Sequence, residues 1–329
     1  MSAAGSESPD ADPGAGGAGR SLPPANLASG PLLAIALVYL LAEVALNGFH
    51  GYGYFTDELY YLACSKRLAF GYVDHPPLAV LLLRAVRAVL GDSLPAIRLP
   101  AALAGAATVF LAGSIARRVG GGRLAQVLAA VSTAVAAGPV IIFGFYSTNA
   151  LEILFWTLSA YLVTEILAGA DPRLWLVVGA VAGLGLENKH TMVVFGAALA
   201  IGLVATSARS HLRGPWPWLG VLLALLVFAP NLLWLMRHDW VSLEFYRTAN
   251  AAKNVPTSTL RAAFDQVLFM NPVLAPLWLA GLGFYLLGRD GRRWRAIGAA
   301  FASLFALLLL VPTSRPDRIA GAYPMLLAA

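Results

Sequence analysis

The chain has few of the residues on which disulfide-bonded, metal-binding and nucleic-acid-binding proteins depend. Its single cysteine, Cys64, excludes an intrachain disulfide and a cysteine-based zinc site. Charged residues make up only 12% of the sequence, and no basic stripe lies on a segment that would fold as a soluble domain, which argues against nucleic-acid binding. No metal-binding motif of fixed spacing, such as HExxH, is present either.

Apolar sequence is what the chain has in abundance. Hydrophobic residues make up 59% of it and the mean hydropathy is +0.71, whereas soluble domains are about 45 to 50% apolar. An α-helix needs about 20 apolar residues to cross a bilayer. Runs that approach or reach this length occur at residues 31–48, 96–116, 124–142, 150–169, 173–186, 190–206, 216–236, 272–288 and 296–312.

A further apolar run begins at Tyr323 and stops at Ala329. We therefore expect an incomplete tenth span and a chain that is truncated at its C-terminus. The sequence predicts an all-α polytopic membrane protein with about nine to ten transmembrane helices.

The polar segments predict how the chain lies in the membrane. Residues 1–30 are rich in Gly, Ala, Ser and Pro and have no apolar run, so we expect a disordered cytoplasmic tail. Residues 31–329 then form one transmembrane domain with two long outer loops, 49–95 and 237–271. With the N-terminus inside, the short cytoplasmic loops carry mainly arginine, as the positive-inside rule requires. We expect a multi-pass protein of the plasma (inner) membrane.

The first outer loop places titratable residues beside the membrane. Asp57, Glu58, Asp74 and His75 lie close together in the sequence, and such groups are the usual material of acid/base chemistry. Apolar spacing predicts two short interfacial helices in this loop, one from Asp57 to Phe70 and one after its Pro-Pro pair. Structural roles also account for these acids, since Asp57 and Glu58 suit a helix start and Asp74 suits a turn.

Two more outer segments carry polar residues near the spans. Asn149 and Glu152 open the fourth span, where helix capping explains both without a function. Lys189 lies between the fifth and sixth spans, where it would neutralise a lipid phosphate, snorkel to the interface or pair with Glu187. His190 beside it is typical of a hydrogen-bonded filler.

The later outer segments supply further cations and aromatics. The second outer loop carries cations that suit a phosphate, Arg247, Lys253 and Arg261. It also carries aromatic residues that would stack on a sugar or anchor in the interface, Trp240, Phe245 and Tyr246. Beyond the ninth span, Arg315 and Arg318 are weaker candidates for the same phosphate.

Four motifs carry a family resemblance: TDELYY after the first span, the DHPPL corner, FGFYSTNALEILFW and GLGLENKHTM. In this order and spacing they resemble the family 39 glycosyltransferases, over residues 31–329. That family includes bacterial aminoarabinose and lipopolysaccharide-core sugar transferases and the eukaryotic protein O-mannosyltransferases. The resemblance implies a C-type glycosyltransferase fold. It also implies that a sugar passes from a polyprenyl-phosphate donor to a lipid, glycan or protein acceptor on the outer face, usually with inversion.

The resemblance also implies roles for single residues. Asp57 matches the catalytic acid of the family's first loop and is the expected general base. Glu58 would orient the acceptor or act on Asp57 through like-charge repulsion. Asn149 stands where relatives often carry an acid, which here is displaced to Glu152. The candidate substrate-binding residues are Asp74, His75, Glu152, Lys189, Arg247, Arg315 and Arg318.

A metal remains open at this stage. Asp57, Glu58, Asp74 and His75 would together suit Mg²⁺ or Mn²⁺. Some C-type transferases need such an ion and others use Lys and Arg, and a departing monophosphate beside Lys189 favours the metal-free route. No cofactor is expected with certainty.

The alternative function is a polytopic transporter or lipid flippase, which the number of spans supports equally well. Transporters usually carry ionisable residues and broken helices near the middle of the membrane. Here only Glu43 and Glu165 fall inside spans, each towards an end. The concentration of charge in outer loops favours chemistry at the surface. A third alternative, a non-catalytic scaffold, would not explain why the acids are clustered.

Overall fold

The structure is a computed structural model that describes residues 26–49, 53–253, 256–311, 313 and 315–329. The predicted tail, 1–30, lies mostly outside these residues. The α-helices of the described part are α1 (Ser29–Phe49), α2 (Thr56–Cys64), α3 (Leu78–Leu90), α4 (Leu94–Arg118), α5 (Arg123–Ala134), α6 (Ala137–Phe143), α7 (Thr148–Leu167), α8 (Leu174–Asn188), α9 (Met192–Val204), α10 (Trp216–Arg237), α11 (Val241–Lys253), α12 (Thr259–Phe269), α13 (Ala275–Leu286), α14 (Arg295–Leu310) and α15 (Tyr323–Leu327). Short 3-10 helices occupy Ser207–Arg213, Pro272–Leu274, Asp290–Trp294 and Pro316–Ala322. The prediction of an all-α fold is confirmed.

The apolar runs found in the sequence correspond to these helices, but several of them are bent. Within the described residues, 5 helices are long and apolar enough to cross a membrane alone, and up to 8 spans result if each bent pair counts as one. The run at 124–142 becomes α5 and α6, which meet at 62°. Pro139 lies in the first turn of α6, where its missing N–H does no harm, whereas a continuous helix would lose a hydrogen bond there. The figure of nine to ten spans stays a prediction.

Close backbone packing joins α8 to α10. A Cβ atom added to Gly179 would lie 2.1 Å from the carbonyl oxygen of Gly220, and one added to Gly220 would lie 2.4 Å from that of Trp175. Small residues allow membrane helices to approach this closely and to gain dispersion energy where no hydrophobic effect drives them together. The contact holds α8 and α10 side by side along the bundle.

The first outer loop contains the two predicted short helices, α2 and α3. We expected the first of them to extend to Phe70, but α2 ends at Cys64. Beyond it the Tyr72 hydroxyl binds the loop, since it donates to the carbonyl of Arg67 over 3.1 Å and accepts from the N–H of Ala69 over 3.2 Å. These bonds satisfy backbone groups that a longer helix would have paired internally.

A buried carboxylate fixes this loop to the transmembrane bundle. Glu58, in the first turn of α2, is fully buried and receives the Arg98 guanidinium of α4 at 2.7 Å and 2.8 Å, one contact to each oxygen. The backbone N–H groups of Phe55 and Tyr146 also donate to it, each over 2.9 Å. Paired charges with this geometry replace the hydration that both groups lose on burial. Glu58 therefore joins α2, α4 and the α6–α7 connection.

We predict that Glu58→Gln destabilises the protein strongly, because it removes the buried carboxylate that pairs with the Arg98 cation. Breaking one partner of a buried ion pair typically costs about 3 to 5 kcal/mol. The midpoint of thermal unfolding in detergent should fall clearly. Asp92→Asn is the matched control, since Asp92 pairs with Arg87 in the same loop but its side chain is 63% exposed and such surface pairs contribute little. Equal midpoints for the two variants would contradict the anchoring role.

Candidate active site

One cavity of about 620 Å³ lies among α2, α7, the α8–α9 corner, α11, α14 and the segment that follows α14. Its polar lining comes from the outer loops and helix ends, and its apolar lining from α7, α9 and α14. The described residues that line it are Asp57, Asn149, Trp156, Lys189, His190, Thr191, Val194, Phe245, Tyr246, Leu304, Leu307, Leu308, Val311, Arg315, Asp317, Arg318 and Ile319. A ligand with a charged head and a hydrocarbon tail matches this division.

Asp57 offers a free carboxylate to the cavity. It lies in the first turn of α2, is exposed, and has no hydrogen bond or ion pair to any residue that the structure describes. Successive residues of a helix point in different directions, so Asp57 faces the cavity while Glu58 faces Arg98. The two acids of the TDE motif therefore have separate positions, and Glu58 is not on the cavity.

Lys189 is held in place by α7. Its Nζ lies 2.6 Å from Glu152 and 2.5 Å from the Asn149 side-chain oxygen. Glu152 is only 7% exposed and also accepts from the Thr191 hydroxyl. Lys189 itself has an extended backbone, which separates α8 from α9. Its partner is thus Glu152 and not Glu187, whose carboxylate accepts the backbone N–H of Asn231 over 3.3 Å.

The segment after α14 brings two more cations to the cavity. Arg315 contacts both oxygens of Asp317 at 3.1 Å, and the Arg315 side chain is 61% exposed. Arg318 is half-buried and lines the cavity directly. Both candidates from the end of the chain therefore meet Lys189 and Asp57 at one site, although they are far apart in the sequence.

Asp74 and His75 belong to the first outer loop and do not line the cavity; His75 is buried in the loop and Asp74 is partly exposed. Asp74 accepts the Tyr60 hydroxyl at 2.6 Å. His75 is 2% exposed, donates from Nδ1 to the Pro76 carbonyl over 2.8 Å, and lies among tyrosine rings. Burial lowers the pKa of His75, which favours its neutral form. The pair shapes the loop that carries Asp57.

Arg247 is exposed and is not part of the cavity lining. The second outer loop contributes Phe245 and Tyr246 instead. These aromatics were expected to stack on a sugar or to anchor in the interface, and in the structure they line the cavity. His190 is hydrogen-bonded, as expected, and it also lies on the cavity wall. The short break that separates two spans at LENKHTM was the signal that pointed to this corner.

The four residues considered for a metal do not converge. Glu58 binds Arg98, Asp74 binds Tyr60, and His75 binds the Pro76 carbonyl. Across the described part of the chain, no group of three or more His, Cys, Asp or Glu residues could hold a metal ion. The charged groups that do meet at the cavity are carboxylates, lysine and arginine.

Comparisons with known proteins give a family match and several similar structures. The model of the dolichyl-phosphate-mannose-protein mannosyltransferase family matches residues 74–234. No curated protein sequence matches the chain.

Solved structures match most of the chain. ArnT from Cupriavidus metallidurans bound to undecaprenyl phosphate is similar at a TM-score of 0.75 and 15% identity, over 91% of this chain and 59% of ArnT. Its apo form gives 0.70 at 15% identity, over 91% and 58%. The oligosaccharyltransferase of Archaeoglobus fulgidus gives 0.63 at 13% identity, over 90% and 50%. This chain thus spans less than two thirds of the length of each. The shared architecture shows that the chain has the C-type glycosyltransferase fold, and the family match shows a similarity to the mannosyltransferase family over residues 74–234.

Proposed function

We propose that the chain is a membrane glycosyltransferase that moves a sugar from a polyprenyl-phosphate donor to a lipid, glycan or protein acceptor. The reaction takes place at the outer face of the plasma membrane, with the N-terminus in the cytoplasm. The observation that supports this most is the cavity itself, where the free carboxylate of Asp57 shares one space with Lys189 and Arg318 and with an apolar wall from α14.

Each part of the cavity suits one part of this reaction. The carboxylate accepts the proton of the attacking acceptor group, and the cations stabilise the negative charge that develops on the departing phosphate. The leucines of α14, Leu304, Leu307 and Leu308, offer the prenyl chain an apolar surface. The cations can hold the phosphate without a resident metal. The alternative function, a transporter, explains the site less well, because transport does not require the free carboxylate of Asp57 beside these cations.

We further propose that the anomeric configuration of the sugar inverts. A double displacement with retention needs a second carboxylate as nucleophile. Glu58 is buried against Arg98 and Asp317 is paired with Arg315, so Asp57 is left as the base of a single displacement. The coupling constant of the anomeric proton in the product, compared with that of the donor by NMR, is expected to show inversion. Retention would contradict this arrangement.

We predict that Asp57→Asn lowers the turnover of polyprenyl-phosphate sugars in membranes by about 10²- to 10⁴-fold, the usual contribution of a general base. Insertion and thermal stability should not change, because no described residue depends on this carboxylate. Glu244→Gln, which changes an exposed acid of α11 away from the cavity lining, should keep full activity. Near-normal turnover by Asp57→Asn would remove Asp57 from the role of base.

Lys189 can be tested without leaving a buried charge behind. Lys189→Ala alone would strand the carboxylate of Glu152, so the informative variant is Lys189→Gln combined with Glu152→Gln. A hydrogen bond to a charged group contributes about 1.5 to 3 kcal/mol, and we therefore expect the KM for the donor to rise roughly 10- to 100-fold with a smaller change for the acceptor. Lys66→Gln, in the exposed part of the first outer loop, is the control. An unchanged donor KM in the double variant would assign the pair to structure.

A further inference from the structure

His190 has a defined partner at each ring nitrogen. It lies in the corner between α8 and α9, on the wall of the cavity. Its Nε2 is 2.9 Å from the side-chain oxygen of Asn231 on α10, and its Nδ1 is 3.0 Å from the hydroxyl oxygen of Tyr246 on α11. The imidazole therefore connects two helices while it faces the ligand space.

This series of hydrogen bonds ends on each side at a backbone carbonyl group, which can only accept hydrogen bonds. The Asn231 side-chain N–H donates to the carbonyl of Phe70 over 2.8 Å, so the amide orientation is fixed and its oxygen faces His190. The Tyr246 hydroxyl lies 3.1 Å from the carbonyl of Asp74, to which it donates. Both carbonyls belong to the first outer loop.

The four contacts of this hydrogen-bond network need four hydrogen atoms. Asn231 supplies one to Phe70 and Tyr246 supplies its only one, while a neutral imidazole supplies one more. Either neutral tautomer of His190 thus leaves one pair of acceptor atoms facing each other. The imidazolium form carries two N–H groups and satisfies every contact.

Opposing effects from the protein act on this proton. Burial lowers the pKa of His190, while the hydrogen bond to Asn231 raises it. The other titratable groups near the ring are Tyr246 on α11, His75 and Asp74 from the first outer loop, Lys189 beside it and Glu187 behind Asn231. Burial is the strongest of these effects, so the protein alone favours neutral His190.

An anion in the cavity would reverse this balance. The ionised groups at the site comprise three cations, Lys189, Arg315 and Arg318, and three carboxylates, Asp57, Asp317 and Glu152. A phosphodiester that enters this site adds one negative charge to a set of described side chains whose charges otherwise balance. A nearby negative charge favours the protonated form of an imidazole.

We propose that His190 is a conditional counter-charge for phosphate, which takes up one proton from solvent when a phosphodiester anion occupies the cavity. This inference rests on the proposed function, because it assumes a lipid-linked phosphodiester as ligand. The imidazolium then supplies the missing positive charge and completes the hydrogen bonds that join α10 and α11 to the first outer loop. Binding of the donor is thereby coupled to the ordering of the loop that carries Asp57.

Histidine NMR on the full chain in detergent micelles tests this directly. The probe is farnesyl methyl phosphate, which carries one fixed negative charge between about pH 5 and 8 because a diester lacks the second ionisation of a phosphate monoester. The ring nitrogens of His190, assigned by their loss in His190→Gln, should shift to imidazolium values when the probe binds at neutral pH. Affinity should rise as pH falls between the free and bound pKa values, by up to about tenfold per pH unit for one linked proton. His238, exposed at the end of α10, is the internal reference and should not respond.

Tyr246→Phe separates the hydrogen-bond count from the general effect of charge. It removes one oxygen and with it two contacts, so that neutral His190 with hydrogen on Nε2 satisfies every contact that remains. The probe-linked shift of His190 should then weaken. An equal proton uptake in this variant would show that the network does not set the protonation state.

The outcomes distinguish this inference from the proposed function. If the wild-type chain binds the probe while His190 stays neutral, the inference fails and the transferase proposal stands. An unchanged pH dependence of affinity in His190→Gln would likewise overturn the inference alone. Failure of the wild-type chain to bind the probe at any pH would overturn both.

Discussion

The buried pair of Glu58 and Arg98 is the contact on which the rest of the site depends. A carboxylate without water must be satisfied by protein groups, and here one guanidinium and two backbone N–H groups meet that need. These contacts fix the position of the first turn of α2 and its rotation about the helix axis. Asp57, one residue earlier, is turned by the same helix geometry towards the cavity. An interaction that takes no part in the proposed chemistry thus aims the residue that does.

The polar groups around the cavity are organised by a second pairing, that of Lys189 with Glu152 on α7. It shows why the break between α8 and α9 matters, since an extended residue at that point releases the lysine from either helix and lets it reach across to α7. His190 and Thr191 follow in the same corner and share its position on the cavity wall. An incoming anion changes the local field at these paired charges, and His190 on the cavity wall is a side chain of the kind that titrates near neutral pH.

Much of the fold could be predicted because its signals are local. Apolar runs of membrane length gave the helices, and α2 and α3 were found from spacing in the first outer loop. The bend between α5 and α6 was not found, because Pro139 lies near a helix start within a single apolar run. Of the candidate residues, Asp57, Lys189, Arg315 and Arg318 line the cavity, whereas Glu58, Asp74 and His75 hold the loop and Arg247 lies away from it.

The class of the molecule, its helical segments and the segments with polar side chains are readable from the sequence, since hydropathy and helical periodicity depend on neighbours along the chain. Which polar groups share a cavity, and which are paired with each other, depends on the tertiary structure. Glu58 meets Arg98, Lys189 meets Glu152 and His190 meets Asn231, each across about forty residues, and no local pattern encodes such partners. The division of labour between Asp57 and Glu58, adjacent in sequence and alike in chemistry, follows from long-range packing alone.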